Sequence, residues 1–170
     1  MDIIVVNDTN VLIDLYSIDL LEAFFRLPLQ VHTTDFVLNE LVKDDQRKEV
    51  EKFVQSGCLI VKRHTEEELL NIIRFQQRQD SNVSITDCSV WLYAQENGYR
   101  LLTGDNKLRK SAIQAGTMVS GILYVFDLLV EQVVLTPQEA CDKLNLLRCK
   151  NNRFPDKDIA ERLKRWERMV

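Results

Sequence analysis

The chain has 170 residues, of which 45% are hydrophobic and 28% charged, a composition typical of one globular domain whose core needs no disulfide bonds. Its formal net charge of −4 argues against a generic basic nucleic-acid-binding protein, although a local basic patch could still contact nucleic acid. No apolar run approaches the roughly 20 residues of a membrane helix, and Met1-Asp2-Ile3-Ile4 lacks the basic start of a signal peptide. A cytosolic protein with no membrane partner is therefore expected.

The cysteines and histidines show no metal-binding spacing. The chain has four cysteines without a C-x-x-C pair, and its two histidines, His32 and His64, lie far apart in sequence. Free, buried thiols are favoured over a redox or zinc role, and a zinc site of the Cys/His type is not expected.

Short β-branched or apolar runs alternate with helical periodicity through the first 120 residues. The predicted strands are 3–7, 29–33, 58–61, 99–103 and 122–125. The helices predicted between them are one or two up to residue 26, two from Thr34-Asp35 to 56, and one each over about 65–79, 84–97 and 106–115. Three more helices are predicted over 126–170, the second of which opens at Thr136-Pro137.

This alternation predicts an α/β fold with three α/β/α layers around a short, mainly parallel sheet. We assign residues 1–135 to this domain, and residues 136–170 to a C-terminal helical extension of the same domain. Ligands of such sheets bind outside the carboxyl ends of the strands, so polar residues at those ends are candidates for a functional site.

Four acidic residues are predicted to face that edge. Asp8 follows the first strand and Asp105 the fourth, and these two strands are neighbours in common orders of this fold. Glu40 lies in the helix after the second strand, and Asp87 lies in the first turn of the helix that begins at Ser84. The carboxylates are therefore expected to converge on one crevice.

Each acid also has a purely structural interpretation, and these alternatives stay open. Asp8 and Asp105 could cap the helices that follow them. Asp87 could complete a capping box with Ser84, and Glu40 could be a solvated helix residue.

Converging carboxylates repel one another unless a cation lies between them. An all-oxygen set of ligands with no His or Cys suits Mg²⁺ or Mn²⁺ rather than zinc. The chemistry that such a site performs best is phosphodiester hydrolysis, in which the metal activates water and stabilises the leaving oxygen.

The order and spacing of these acids, and the strands and helices around them, resemble the four acidic motifs of PIN-domain nucleases over residues 3 to about 126. The motifs are Asp8-Thr9-Asn10, Leu38-Asn39-Glu40-Leu41, Thr86-Asp87 and Thr103-Gly104-Asp105. The resemblance implies a compact α/β/α fold and metal-dependent cleavage of RNA by water that leaves 3′-hydroxyl and 5′-phosphate ends. It assigns the metal to Asp8, Glu40, Asp87 and Asp105, directly or through water, with Asn10 and Thr103 as supporting polar residues.

Basic residues are candidates for substrate contacts. Lys107, Arg109 and Lys110, just past Asp105, could meet RNA phosphates, although a solvated helix face is slightly favoured for this trio. The resemblance extends to VapC-type toxins, which a protein antitoxin holds inactive. The helices after about residue 135 depart from that compact pattern, and they could pack on the domain or a dimer mate, or form an arm that binds substrate or a partner.

Two rival functions remain at this point. A haloacid-dehalogenase-like phosphatase would use Asp8 as a nucleophile, but Asn10 stands where that chemistry needs a general acid, and Val11-Leu12 replaces the usual Gly-Thr. A catalytically silent PIN-like protein that binds RNA or a partner is the second rival. The presence of all four acids argues against it.

Overall fold

The computed structural model describes residues 3–79, 82–151 and 153–169. The strands are β1 (Ile3–Asn7), β2 (Leu29–Thr34), β3 (Leu59–Lys62), β4 (Arg100–Leu102) and β5 (Val119–Ser120). The helices are α1 (Thr9–Ser17), α2 (Leu21–Phe25), α3 (Asp35–Glu40), α4 (Asp44–Gln55), α5 (Glu66–Gln77), α6 (Ile85–Asn97), α7 (Asn106–Gln114), α8 (Ile122–Glu131), α9 (Pro137–Lys150) and α10 (Asp156–Glu167). No helix in the described part of the chain is both long and apolar enough to cross a membrane.

The five strands form one parallel sheet in the order β3-β2-β1-β4-β5. The sheet lies in one compact unit, which contains the residues up to Ile13 together with Pro28–Gly121. The predicted α/β fold, with a parallel sheet flanked by helices, is confirmed. The predicted neighbourhood of the first and fourth strands is also confirmed, since Asn7 of β1 is in register with Leu102 of β4.

The centre of the sheet is apolar because both of its faces are covered. Val5 and Val6 are consecutive in β1, so their side chains point to opposite faces, and both are fully buried. The buried Trp91 of α6 contacts the ring of Phe75 in α5 edge-on, at 4.8 Å between ring centroids. The polar break at Asp8 therefore begins at the end of β1, a strand that is exposed at Ile3 but fully buried from Val5 onward.

One predicted element is wrong. Residues 122–125 were expected to form the fifth strand, but they begin α8, and β5 consists only of Val119–Ser120. The residues that α8 buries are Ile122, Val125, Phe126, Leu129 and Val130. Their spacing of three and four residues is that of one helix face, which a four-residue window is too short to reveal.

The second compact unit contains Asp14–Leu27 and the residues from Ile122 onward. At the end of α1, the Nζ atoms of Lys143 and Lys150 donate to the carbonyl oxygens of Ile18 and Ser17. These lysines satisfy acceptors that the end of a helix leaves without a partner. The division of the chain at residues 135 and 136 stays a prediction.

The C-terminal helix α10 is anchored within this second unit by charge and by apolar packing. The guanidinium of Arg162 donates to both carboxylate oxygens of Asp127 in α8, and Arg165 pairs with the same carboxylate. Trp166 is buried and lies 6.1 Å from the ring of Phe126, centroid to centroid. The predicted C-terminal helix therefore forms, and its buried Trp166 packs against Phe126 of α8.

A valine ends α8 at a position that favours glycine. Val133 has a φ of 56°, in the left-handed region, and is 83% exposed. The N–H of Val134 donates to Leu129 O, and the N–H of Val133 donates to Val130 O, which are the two bonds of a Schellman motif. A β-branched residue is strained in this conformation.

We expect Val133→Gly to raise the free energy of unfolding by about 0.5–1 kcal/mol, because it relieves this strain and sacrifices little packing. Urea denaturation would show a higher midpoint with an unchanged slope. The matched control is Gly98→Val, which introduces valine into the Schellman motif at the end of α6, where φ is 68°. That control should lose about 1–2 kcal/mol, and a loss in Val133→Gly would contradict the assignment of strain.

Candidate metal centre

Asp8 lies at the carboxyl end of β1 with its side chain almost fully buried, at 2% exposure. Its Oδ1 accepts a hydrogen bond from the N–H of Thr9 at 2.7 Å, and its Oδ2 accepts one from Thr103 Oγ1 at 2.8 Å. The pKa of Asp8 is raised to about 6, chiefly by burial; the charges of Asp87 and Glu40 add to the rise, and the two hydrogen bonds oppose it. Asp8 is therefore a carboxylate whose charge is poorly solvated by the protein alone.

Glu40 is the last residue of α3 and its side chain reaches the start of α1. Its Oε2 accepts a hydrogen bond from Thr9 Oγ1 at 2.7 Å. Thr9 thus links two of the acids, since its backbone N–H bonds to Asp8 and its hydroxyl to Glu40. The two hydrogen bonds of Thr9 therefore bring the Glu40 carboxylate beside the Asp8 carboxylate. This is the edge of the sheet at which both acids were expected.

Asp87 fills two roles in the first turn of α6. Its Oδ2 accepts from the N–H of Ser84 at 2.8 Å, and its own N–H donates to Ser84 Oγ at 3.0 Å, which completes the capping box. Burial raises the pKa of Asp87; its bonds to Ser84 lower it, and the charges of Asp105 and Glu40 raise it. Asp87 therefore caps α6 and also belongs to the acidic group.

Asp105 caps α7 while remaining in the same acidic group. Its Oδ1 accepts from the N–H groups of Lys107 and Leu108, each at 2.8 Å. The N–H of Asp105 donates to Thr103 Oγ1 at 3.1 Å, and the same hydroxyl donates to Asp8. Thr103 consequently bridges the ends of β1 and β4, and its supporting role at a metal site stays a prediction.

All four carboxylates bear the same charge and lack a cationic partner. Within the described ranges, no Lys, Arg or His forms an ion pair with Asp8, Glu40, Asp87 or Asp105. Among the same residues, no three His, Cys, Asp or Glu side chains converge closely enough to hold a metal ion. The expected convergence of the four carboxylates on one metal-binding cluster is therefore not seen among these residues.

The donor set fits a hard divalent cation in its chemistry. It consists of carboxylate oxygens, and the Thr9 and Thr103 hydroxyls already fix the orientation of Asp8 and Glu40. Such oxygen ligands are those that Mg²⁺ and Mn²⁺ prefer, and outer hydrogen bonds of this kind orient ligating carboxylates. A cation would also relieve the desolvation that raises the pKa of Asp8.

The other predicted residues fall into different environments. Asn10 is half-buried and makes no hydrogen bond to another residue in the described part of the chain, so its supporting role stays a prediction. Lys107 and Lys110 are exposed, whereas Arg109 is half-buried.

Sequence reasoning did not single out two residues of this region. Thr9 was part of a motif, but its bond to Glu40 spans 31 residues and has no local pattern. Asn7 is fully buried, and neither its Oδ1 nor its Nδ2 has a hydrogen-bond partner among the described residues. The sequence feature that could have singled out Asn7 is its position, since it is a polar residue at the end of an apolar strand.

The parallel sheet and the acids at the ends of its strands define a class of α/β proteins with an acidic site at the sheet edge. A family model described as a PIN domain matches residues 4–168. The chain therefore belongs to the PIN-domain family, whose members are generally nucleases that use divalent metal ions. No curated protein matched the chain.

Proposed function

We propose that this protein is a metal-dependent ribonuclease that hydrolyses RNA phosphodiester bonds at the edge formed by Asp8, Glu40, Asp87 and Asp105. The observation that carries the proposal is that hydrogen bonds through Thr9 and Thr103 link Asp8 to Glu40 and to Asp105, without a cationic partner among the described residues, in a member of a nuclease family. Family membership also favours this interpretation over the phosphatase alternative.

The four carboxylates would hold Mg²⁺ or Mn²⁺, directly or through water. The bound ion would supply an activated water and would stabilise charge on the leaving oxygen. Thr103 holds Asp8 through one oxygen and orders the start of α7 through the N–H of Asp105. Thr9 keeps Glu40 next to Asp8. The chain's own contribution is thus to orient the carboxylates before substrate binds.

The direct test is cleavage of single-stranded RNA by the purified protein. We expect cleavage with Mg²⁺ or Mn²⁺, none with excess EDTA, and products that carry 3′-hydroxyl and 5′-phosphate ends. We also expect Mn²⁺ to raise the melting temperature, because the ion binds a site that only the folded chain forms. Cleavage that persists in EDTA, or an absence of cleavage with either ion, would overturn the proposal.

A catalytically silent RNA-binding protein is the second candidate. The observation that favours it is that no three metal-ligating side chains converge among the described residues. RNA binding without cleavage, in the presence of either ion, would decide for this candidate.

The predicted partners remain proposals. A protein antitoxin would identify the chain as a toxin, and a small neighbouring reading frame with a DNA-binding start and a disordered tail would support that role. Co-expression with such a partner should suppress cleavage, and the homodimer is tested by light scattering. A cytosolic location also stays a prediction.

A further inference from the structure

The helix that ends at Glu40, α3, is held in place mainly by polar contacts. It has six residues and buries the side chain of Val37. A helix of this length is not stable by itself, so its tertiary contacts decide where it lies. Because Glu40 is exposed, packing around its own side chain does not fix its position either. The contacts at the start of α3 therefore help to determine where Glu40 stands.

The first of these contacts joins α3 to the segment between β3 and α5. Oδ2 of Asp35 accepts a hydrogen bond from the N–H of His64 at 3.0 Å, and its Oδ1 lies 2.6 Å from His64 Nδ1. A carboxylate can only accept, so Nδ1 of the histidine is the donor. The side chain of His64 is 7% exposed, and its ring meets that of Phe36 edge-on, at 5.4 Å between centroids. His64 thus contacts two successive residues at the start of α3.

The second contact joins the N-cap of α3 to α6. Thr34 Oγ1 accepts from the N–H of Val37 at 3.4 Å and lies 2.8 Å from Ser89 Oγ. The hydroxyl of Ser89 donates its single hydrogen to the carbonyl oxygen of Thr86, so Thr34 donates to Ser89. One anchor fixes a point of α3, whereas two anchors fix its direction as well. The bonds of His64 supply the second anchor.

We propose that His64 is a positioning residue for the metal site, because through Asp35 it holds α3 in the direction that keeps Glu40 beside Asp8. This inference rests on the proposed ribonuclease function. Within the described chain His64 makes no hydrogen bond to any of the four acids, so it acts on the site only through α3. Groups that orient metal ligands typically contribute 10- to 100-fold to metal affinity or activity.

Two substitutions at His64 separate its hydrogen bond from its bulk. His64→Leu keeps an apolar side chain but removes the ring donor, whereas His64→Asn places its Nδ2 where the histidine has Nδ1. We expect His64→Leu to raise the Kd of Mn²⁺ roughly 10-fold in calorimetric titration and to lower kcat by a similar factor. The KM for RNA should change less than about twofold. His64→Asn should recover most of both losses.

The matched control is Thr65→Ala, at the neighbouring residue. The hydroxyl of Thr65 accepts from the N–H of Glu68 at 3.2 Å and so caps α5 rather than contacting α3. Loss of this cap should lower the melting temperature but leave the Kd of Mn²⁺ and kcat within about twofold. Equal losses in Thr65→Ala and His64→Leu would show that general destabilisation, and not the position of α3, is responsible.

Amide hydrogen exchange of the metal-free chain gives a measurement that does not depend on activity. His64→Leu should speed exchange in α3 severalfold and leave α7 unchanged. Asp35→Ala removes the same bonds from the other side and should reproduce both this effect and the loss of Mn²⁺ affinity. If His64 acts through Asp35, the double variant should be little worse than either single variant.

Unchanged Mn²⁺ affinity and kcat in His64→Leu, or additive losses in the double variant, would overturn the role of His64. Failure of the ribonuclease function is recognised separately. The unmodified chain would then not cleave RNA, while the Mn²⁺ titrations would still compare His64→Leu with Thr65→Ala. An unmodified chain that binds no Mn²⁺ would reject the metal site and this inference together.

Discussion

Asp8→Asn is expected to abolish metal-dependent RNA cleavage while making the metal-free protein more stable at neutral pH. Asparagine has the size of aspartate, and its Oδ1 can still accept from the N–H of Thr9. Its amide can donate to Thr103 Oγ1, so the bridge between the two strand ends persists. What the variant loses is the negative charge, which a divalent ion requires and which the buried position disfavours.

The gain in stability should depend on pH in a defined direction. The pKa of Asp8 rises from 3.8 to about 6 on folding, so the folded chain binds more protons than the unfolded chain between these values. The ionised Asp8 therefore destabilises the fold, and the full cost, about 3 kcal/mol at 1.36 kcal/mol per pKa unit, is present above about pH 6. Below pH 3.8 this cost disappears.

Urea denaturation in EDTA at several pH values checks this prediction. The difference in unfolding free energy between Asp8→Asn and the unmodified chain should be close to zero at pH 4 and should grow until about pH 7. Mn²⁺ should narrow the difference at neutral pH, because the ion stabilises only the chain that retains the carboxylate. Cleavage by the variant at the original rate, or a difference that shrinks as the pH rises, would refute the assignment.

Asp105→Asn separates helix capping from metal binding at the fourth acid. Asparagine is as good an N-cap as aspartate, so its Oδ1 should keep the bonds from the N–H groups of Lys107 and Leu108. We expect less than about 1 kcal/mol of lost stability, from the weaker interaction with the helix dipole. RNA cleavage should fall at least about 100-fold, since even outer partners of metal ligands contribute 10- to 100-fold.

Two further substitutions at this position serve as controls. Asp105→Ser keeps a capping oxygen and should also lose activity without a large loss of stability. Asp105→Ala removes the cap as well and should cost about 0.5–2 kcal/mol more. Full activity in Asp105→Asn would mean that Asp105 only caps α7, and single-turnover cleavage assays alongside thermal melts distinguish these results.

The two predictions differ because the two acids are buried to different extents. Asp8 is almost inaccessible at the end of a central strand, whereas Asp105 is only half-buried and begins a helix. Removing the charge is therefore expected to stabilise the fold in one case and to have little effect in the other. Activity should be lost in both, and this common loss tests the shared metal site.

Local sequence was sufficient to locate most elements and the one capping box that it predicted. The β-branched run at 3–7 is β1, and Ser84 and Asp87 form the reciprocal bonds that their spacing predicts. Thr136, placed before a proline and three residues before Glu139, likewise begins α9. The capping bonds join residues within four positions of one another, so the sequence contains all the information that they need, whereas β1 also depends on its pairing with β2 and β4.

Local sequence does not decide between a strand and a helix where a short apolar run suits both periodicities. Ile122 to Val125 is apolar without a break, which suits a buried strand or a buried helix equally well. The choice depends on what covers the next turn, and Phe126, Leu129 and Val130 are all buried on the same helix face. The strand was predicted from too few residues to register this pattern.

The sequence by itself determined the alternation of strands and helices, the four acids at the predicted ends and the family to which the chain belongs. Local capping already accounts for Asp87 and part of Asp105, whereas the tertiary structure alone decided how Asp8 and Glu40 are held. Thr103 reaches Asp8 across 95 residues because β4 pairs with β1, and Thr9 reaches Glu40 because α3 follows the neighbouring β2. It also separated Arg109 from the exposed lysines beside it. Burial and long-range hydrogen bonds arise from strand order, which short-range periodicity does not encode.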